Sequence, residues 1–172
     1  MYLGLTGLTE YWPDSGDIAL LGRFCLPPYS STREQMLQDR EISILPNPWE
    51  DDAVAEQETK NSIKHRQELI AKLAHCLNEI HGVNFSDRYW DILCGYWLLA
   101  FRDCVYDRYT RIKAGLERYP DAHIQTLCPE SFWIPTNSSE AFNSLYESDW
   151  YNLQLYTNIL GAMGHTGFPI ID

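Results

Sequence analysis

At 172 residues the chain is long enough for one domain that buries roughly two-thirds of its unfolded surface, so it needs no disulfide or metal staple. Its hydrophobic fraction of 45% and charged fraction of 22% are those of a globular protein rather than a disordered one, while a net charge of −11 excludes duplex nucleic acid and anionic membranes as natural partners and favours a basic protein. Six Trp and eleven Tyr make the composition aromatic-rich, which suits a large core and also carbohydrate or protein contacts.

In chain order, Tyr2 to Thr6 and Asp17 to Gly22 read as short strands, and Pro27-Pro28 punctuates the loop after the second. Ser31 followed by Glu34 is a capping box that starts a helix reaching Asp39. Glu41 to Leu45 is the next strand, halted by Pro46 and Pro48, and strand, helix, strand predicts a βαβ unit with a right-handed crossover. The acidic stretch Glu50 to Lys60 is expected to begin as a solvated connection before turning helical. From Ile63 to Ile80 apolar residues recur every three or four positions, as one buried helix face requires, and Gly82 is its natural C-cap.

Ser86 is placed to N-cap a further helix, with Asp87 in its first turn near the positive dipole end, running to about Leu116. At about 100° per residue, Trp90, Leu93, Cys94, Trp97, Phe101, Val105, Ile112 and Leu116 share one face, and Arg88, Asp91, Gly95, Arg102 and Tyr106 the other. A glycine inside a helix costs about 1 kcal/mol relative to alanine, so another helix or a ligand is expected to come close at Gly95. Tyr119-Pro120 ends that segment, His123 to Leu127 is a further strand, and Ser138-Ser139-Glu140 opens a last helix reaching about Leu160.

The apolar run Ile92 to Phe101 is too short to span a bilayer, and the amino terminus lacks a secretory signal pattern, so the expected location is the cytoplasm. Five cysteines without CxxC spacing are expected to be free thiols. His75 and Glu79 stand at i, i+4 without a third ligand of recognisable spacing, so no metal is expected. Neither G-x-S-x-G, a P-loop nor G-x-G-x-x-G occurs, so no dinucleotide cofactor is supported.

The segments Leu5-Thr6 with Glu10-Tyr11-Trp12, Leu20 to Cys25, Pro46 to Asp52, Leu77 to Leu98, Tyr106 to Ile112 and Asp149 to Tyr156 fall in one order. In that order and spacing the chain resembles the amino-terminal region of a bacterial family of transferases encoded among O-antigen and surface-polysaccharide genes. It departs from that pattern at Arg23, where an acidic residue is usual, and at Pro48, where a histidine often precedes the tryptophan. The resemblance implies a two-lobed, glycosyltransferase-like enzyme, of which this chain is a single Rossmann-like lobe over residues 1–172, α/β, with a short parallel sheet and long helices. It implies further that a nucleotide-sugar donor is held by a second lobe, that this lobe takes the glycan acceptor and is incomplete alone, and that its partner is a second transferase lobe or a basic protein, the chain being either a fragment or one subunit of a split enzyme.

On that reading the candidate catalytic residues are His81, an imidazole that titrates near neutral pH, with Asp87 and Arg88, the last a guanidinium fork for phosphate or carboxylate. The candidate substrate-binding residues are Trp49, Asp51, Asp52, Trp90, Asp91, Arg102, Tyr106 and Asp107. A structural account stands beside each. His81 is placed for a helix-end capping contact, Arg88 and Arg102 for pairing with Asp91 and Tyr106, Asp107 for an exposed i, i+4 pair with Arg111, and Asp51 and Asp52 for a solvated loop. The competing function is a non-catalytic acidic binding or regulatory protein derived from such a lobe.

Overall fold

The computed structural model describes residues 1–26, 40–165 and 170–171, and the helix expected over Ser31 to Asp39 lies outside them. The described chain is mostly helical, with a short parallel sheet, and it divides into two compact units, residues 1–48 with 105–172, and residues 49–104.

In the first unit, β1 (Tyr2–Gly4), β2 (Ile18–Leu20) and β3 (Ile42–Ile44) form a parallel sheet in the order β1-β2-β3, with Tyr2 opposite Ile18 and Ile18 opposite Ile42. Every residue of β1 and β2 is buried, as parallel strands covered on both faces demand. The expected strand at His123 to Leu127 is present in two pieces. His123 bridges Tyr2 in parallel, and β4 (Thr126–Leu127) pairs with β5 (Ile170–Ile171). The core gathers Leu3, Ile18, Leu20, Cys25, Ile112, Ile124, Leu127 and Tyr156, all at or near zero exposure.

The single helix expected from Ser138 to Leu160 is two helices. Ser148 adopts extended backbone and its hydroxyl accepts from Tyr151 N–H at 3.1 Å, so it ends the Ser138–Glu147 helix and N-caps Asp149–Ala162. The second of these buries Tyr151 to Tyr156 without interruption, so it is enclosed all round. Its polar members are satisfied there: Gln154 accepts from Trp133 N–H at 2.8 Å and donates to Trp133 C=O at 3.1 Å.

The second unit is a helical hairpin. Its first helix, α1 (Asp52–His81), begins inside the stretch expected to be a solvated connection, because the Asp51 carboxylate accepts from Ala53 and Val54 N–H and Glu56 pairs with Lys60 one turn on. Gly82 closes it in the left-handed conformation at φ +63°. Helix α2 (Asp87–Arg118) starts in this unit and ends in the other. With α1 and α2 so defined, the helices from Ser138 and from Asp149 are α3 (Ser138–Glu147) and α4 (Asp149–Ala162).

Asn78 ties the hairpin loop. Its side chain exchanges bonds with both the N–H and C=O of Phe85 and accepts from the Trp90 indole at 2.9 Å. The hairpin core is small, with Ile70, Ala74, Trp90 and Leu98 buried and Leu73, Leu77 and Cys94 packed on them. Two assignments of face are corrected here. Leu93, expected inside, is 61% exposed, and Gly95, expected on the charged outer face, is buried. The space a Gly95 side chain would fill holds the ion pair between Asp91 and Arg66 of α1, so the close approach at this glycine is made by the neighbouring helix.

Candidate active site

The loops that follow β1, β2 and β3 carry Thr6 and Gly7, Gly22 to Cys25, and Asn47, and within the first unit they meet the last turns of α2 and the first turn of α4. Asp107 is the hub of this end of α2, accepting from Arg111 Nε at 2.8 Å and from Arg108 Nη1 at 3.2 Å. The pair with Arg111 was expected on the surface, yet the arginine side chain is only 12% exposed, so the correction is one of burial. Arg111 also donates to Asn47 Oδ1 at 3.0 Å and lies 5.2 Å over the Phe24 ring. Arg108 reaches the other way, donating to Asn152 Oδ1 at 2.9 Å and to the Leu145 carbonyl at 3.1 Å.

These side chains frame a cavity of about 280 Å³ lined by Thr6, Phe24, Arg108, Tyr146, Glu147, Asp149, Asn152 and Tyr156. Asp149 receives the Gly7 N–H. Burial, helped by the nearby Glu10 charge, still raises its carboxyl above the usual range. A β-carbon at Gly7 would stand 2.9 Å from the Asp149 carboxylate, so a side chain here would displace that carboxylate. The Tyr156 hydroxyl is buried without a hydrogen-bond partner among the described residues, and burial pushes its pKa up. Behind the wall, burial pushes the Cys25 thiol up to about 12, which makes it a packing group rather than a nucleophile. Phe24 and Tyr146 line the cavity and leave about half of their surfaces open. A carboxylate whose pKa burial raises, beside amide and hydroxyl groups, is suited to accept a hydrogen bond or a proton from a ligand hydroxyl.

The residues proposed from sequence divide between the units. Tyr106, whose ring centroid lies 6.3 Å from that of Tyr109, and Asp107 belong to the first. The rest belong to the second. His81, the last residue of α1, stacks on Trp90 at 5.9 Å between ring centroids, while Trp90 itself is buried. Asp87 and Arg88 are exposed in the first turn of α2, where the Ser86 hydroxyl caps Tyr89 N–H. Asp91 is held by Arg66 and Arg102 donates to Asp103 at 2.6 Å. Trp49 is half-buried, Asp51 caps α1, and Asp52 is exposed beside it. Arg108, Asp149, Asn152, Phe24 and Tyr156 were not singled out. The available signal was that Leu5-Thr6, Leu20 to Cys25, Tyr106 to Ile112 and Asp149 to Tyr156 all carry the resemblance, and each contributes to this cavity or its supporting cluster.

Residues 1–172 match the sequence pattern of a family described as LIC12162 family transferase. The chain belongs to that family. No curated protein and no solved structure matches it. Group transfer is thus the coarse function of this LIC12162 family member. Among the described residues no group of three or more His, Cys, Asp or Glu is placed to hold a metal ion, and no helix is long and apolar enough to cross a membrane. All five cysteines are free.

Proposed function

We propose that this LIC12162 family member acts in sugar transfer during surface-polysaccharide synthesis in the cytoplasm, as a single Rossmann-like acceptor-side lobe. The observation that supports this reading best is that four of the segments resembling surface-polysaccharide transferases converge on one cavity beyond the carboxyl ends of a parallel sheet, where open α/β sheets bind ligands. The acceptor hydroxyl approaches Asp149, which takes its proton as the hydroxyl oxygen attacks the anomeric carbon of a nucleotide sugar, and the anomeric C–O bond to phosphate breaks with its electron pair leaving on the nucleoside diphosphate. Phe24 and Tyr146 stack on the sugar faces and Asn152 orients its hydroxyls. The donor comes with a second lobe or a partner polypeptide. His81, Asp87 and Arg88, with Trp90 beside them, form a separate candidate set in the other unit.

The test is a panel of nucleotide sugars and saccharide acceptors, read by nucleoside diphosphate release and product mass, with saturation-transfer NMR for acceptor binding by the chain alone. Asp149→Asn should keep acceptor binding and lower turnover by about 100-fold or more, whereas a loss of that size in His81→Ala or Arg88→Ala, with Asp149→Asn at full turnover, would assign the chemistry to the other candidate set. Full turnover in Asp149→Asn, or no saccharide contact at Phe24 and Tyr146, would overturn the assignment. The net charge of −11 favours a second reading, a non-catalytic binding protein. A stoichiometric basic partner together with a silent Asp149→Asn would establish it.

A further inference from the structure

The charge-free run that the sequence places at Ile92 to Phe101 has a second consequence. The buried side of α2 in the hairpin unit is defined by Trp90, Cys94 and Leu98, yet the opposite side is apolar as well. Tyr89, Ile92, Leu93 and Tyr96 recur at helical spacing there and are 41%, 74%, 61% and 77% exposed. Phe85 extends the strip at the loop end, its ring centroid 4.2 Å from that of Tyr89. A helix apolar all round is one that is buried all round, and a lone hairpin leaves this side in water.

We infer that this strip is the interface of a symmetric dimer, in which α2 of one copy packs antiparallel on α2 of a second copy to complete a four-helix arrangement. Two observations select a like copy as the occupant. The first is area: the five side chains leave roughly 600 Å² uncovered, most of the ~800 Å² per partner that a standard interface buries. The second is charge. The strip carries none of its own, so it offers nothing to a basic or acidic partner. It is bounded by the exposed Arg88 at one end and at the other by Asp103, whose Oδ1 accepts from Arg102 and from Ser62 of α1 while about half of its side-chain surface stays open to a second cation. A two-fold axis near Tyr96 exchanges those ends, so that Arg88 of each copy faces Asp103 of its partner and Ile92 faces Leu99, as an isologous contact requires. The hairpin's own core is small, and it gains a second buried face.

Sedimentation equilibrium of the full chain from low to high micromolar concentration tests this. The wild type should dimerise, and Ile92→Asp or Tyr96→Asp should raise the dissociation constant by about thirty-fold, the effect of removing a hot-spot side chain, at unchanged helicity by circular dichroism. Arg88→Asp and Asp103→Arg should each weaken the dimer, and their combination should restore it, which a parallel or unlike contact would not produce. A chain monomeric throughout overturns the inference, as does a monomer that instead binds phosphatidylcholine vesicles through the strip. A dimer indifferent to both Ile92→Asp and Tyr96→Asp overturns it too.

Discussion

Replacing Arg108 with methionine keeps an apolar stem in place and removes only the guanidinium, so its cost can be worked from the partners left behind. Asp107 retains Arg111 at 2.8 Å and loses little. The Leu145 carbonyl, in a fully buried residue, keeps only a 3.5 Å contact from Asn152 Nδ2, and Asn152 Oδ1 loses its donor altogether. A buried polar group left unpaired costs about 1–3 kcal/mol. Two such groups, one of them beside a cavity that admits water, give about 3 kcal/mol. Arg111→Met is the control, because its other acceptor, Asn47, is exposed and its Phe24 contact is half in solvent, and it should cost about 1 kcal/mol. With a urea slope near ~2 kcal/mol/M, the midpoints should fall by about 1.5 M and about 0.5 M respectively. Urea titration followed by circular dichroism and by tryptophan fluorescence, with coincident curves, provides the reading. Equal shifts, or a larger one for Arg111→Met, would refute the claim that Arg108 is the buried keystone of this cluster.

Asp149 makes the pH dependence specific. Burial raises its carboxyl above the ordinary 3.8, so the folded state binds more protons than the unfolded one in the window just above that value. Stability should therefore decline as pH rises through the window and level off beyond it, and Asp149→Asn should lack that decline; parallel urea midpoints for the two proteins from pH 4 to 7 would contradict this. Because Asp51 caps α1, Asp51→Ala should cost about 1 kcal/mol in thermal unfolding while Asp51→Asn costs a few tenths, and any loss of ligand affinity shared by both variants would instead mark a binding role. Iodoacetamide at pH 8 should label the exposed Cys76 quickly and the buried Cys25 of the first unit and Cys104 of the second only in urea, as mass spectrometry of tryptic peptides will show; equal rates in native buffer would mean that both units open readily.

The α1 hairpin shows where reading the sequence succeeds and where it stops. Leu69, Leu73 and Leu77 pack inward with Ile70 and Ala74 because a period of 3.6 is imposed locally, by backbone geometry alone. The start of the same helix is not legible in this way, since Glu50 to Lys60 has no apolar face and is ordered by a cap and an i, i+4 pair. On α2 the periodicity is ambiguous. Both sides are apolar, so Leu93 and Gly95 could be assigned only once Arg66 was seen to occupy the inner one. Ser148 is a similar case, a residue acceptable inside a helix whose hydroxyl here captures Tyr151 N–H and divides the segment in two.

What the sequence determined by itself is local. Three short apolar segments make parallel strands, Gly82 and Ser86 bound two long helices, and the order of segments carries the transferase kinship. The cavity belongs to the tertiary structure. Thr6, Phe24, Arg108 and Asp149 are separated by up to 143 positions along the chain, 149 minus 6, and no spacing rule links them. Which carboxylate is desolvated, and which arginine is already committed to a carbonyl, depends on what packs against each group. That is a matter of three-dimensional neighbours, to which periodicity and composition are blind.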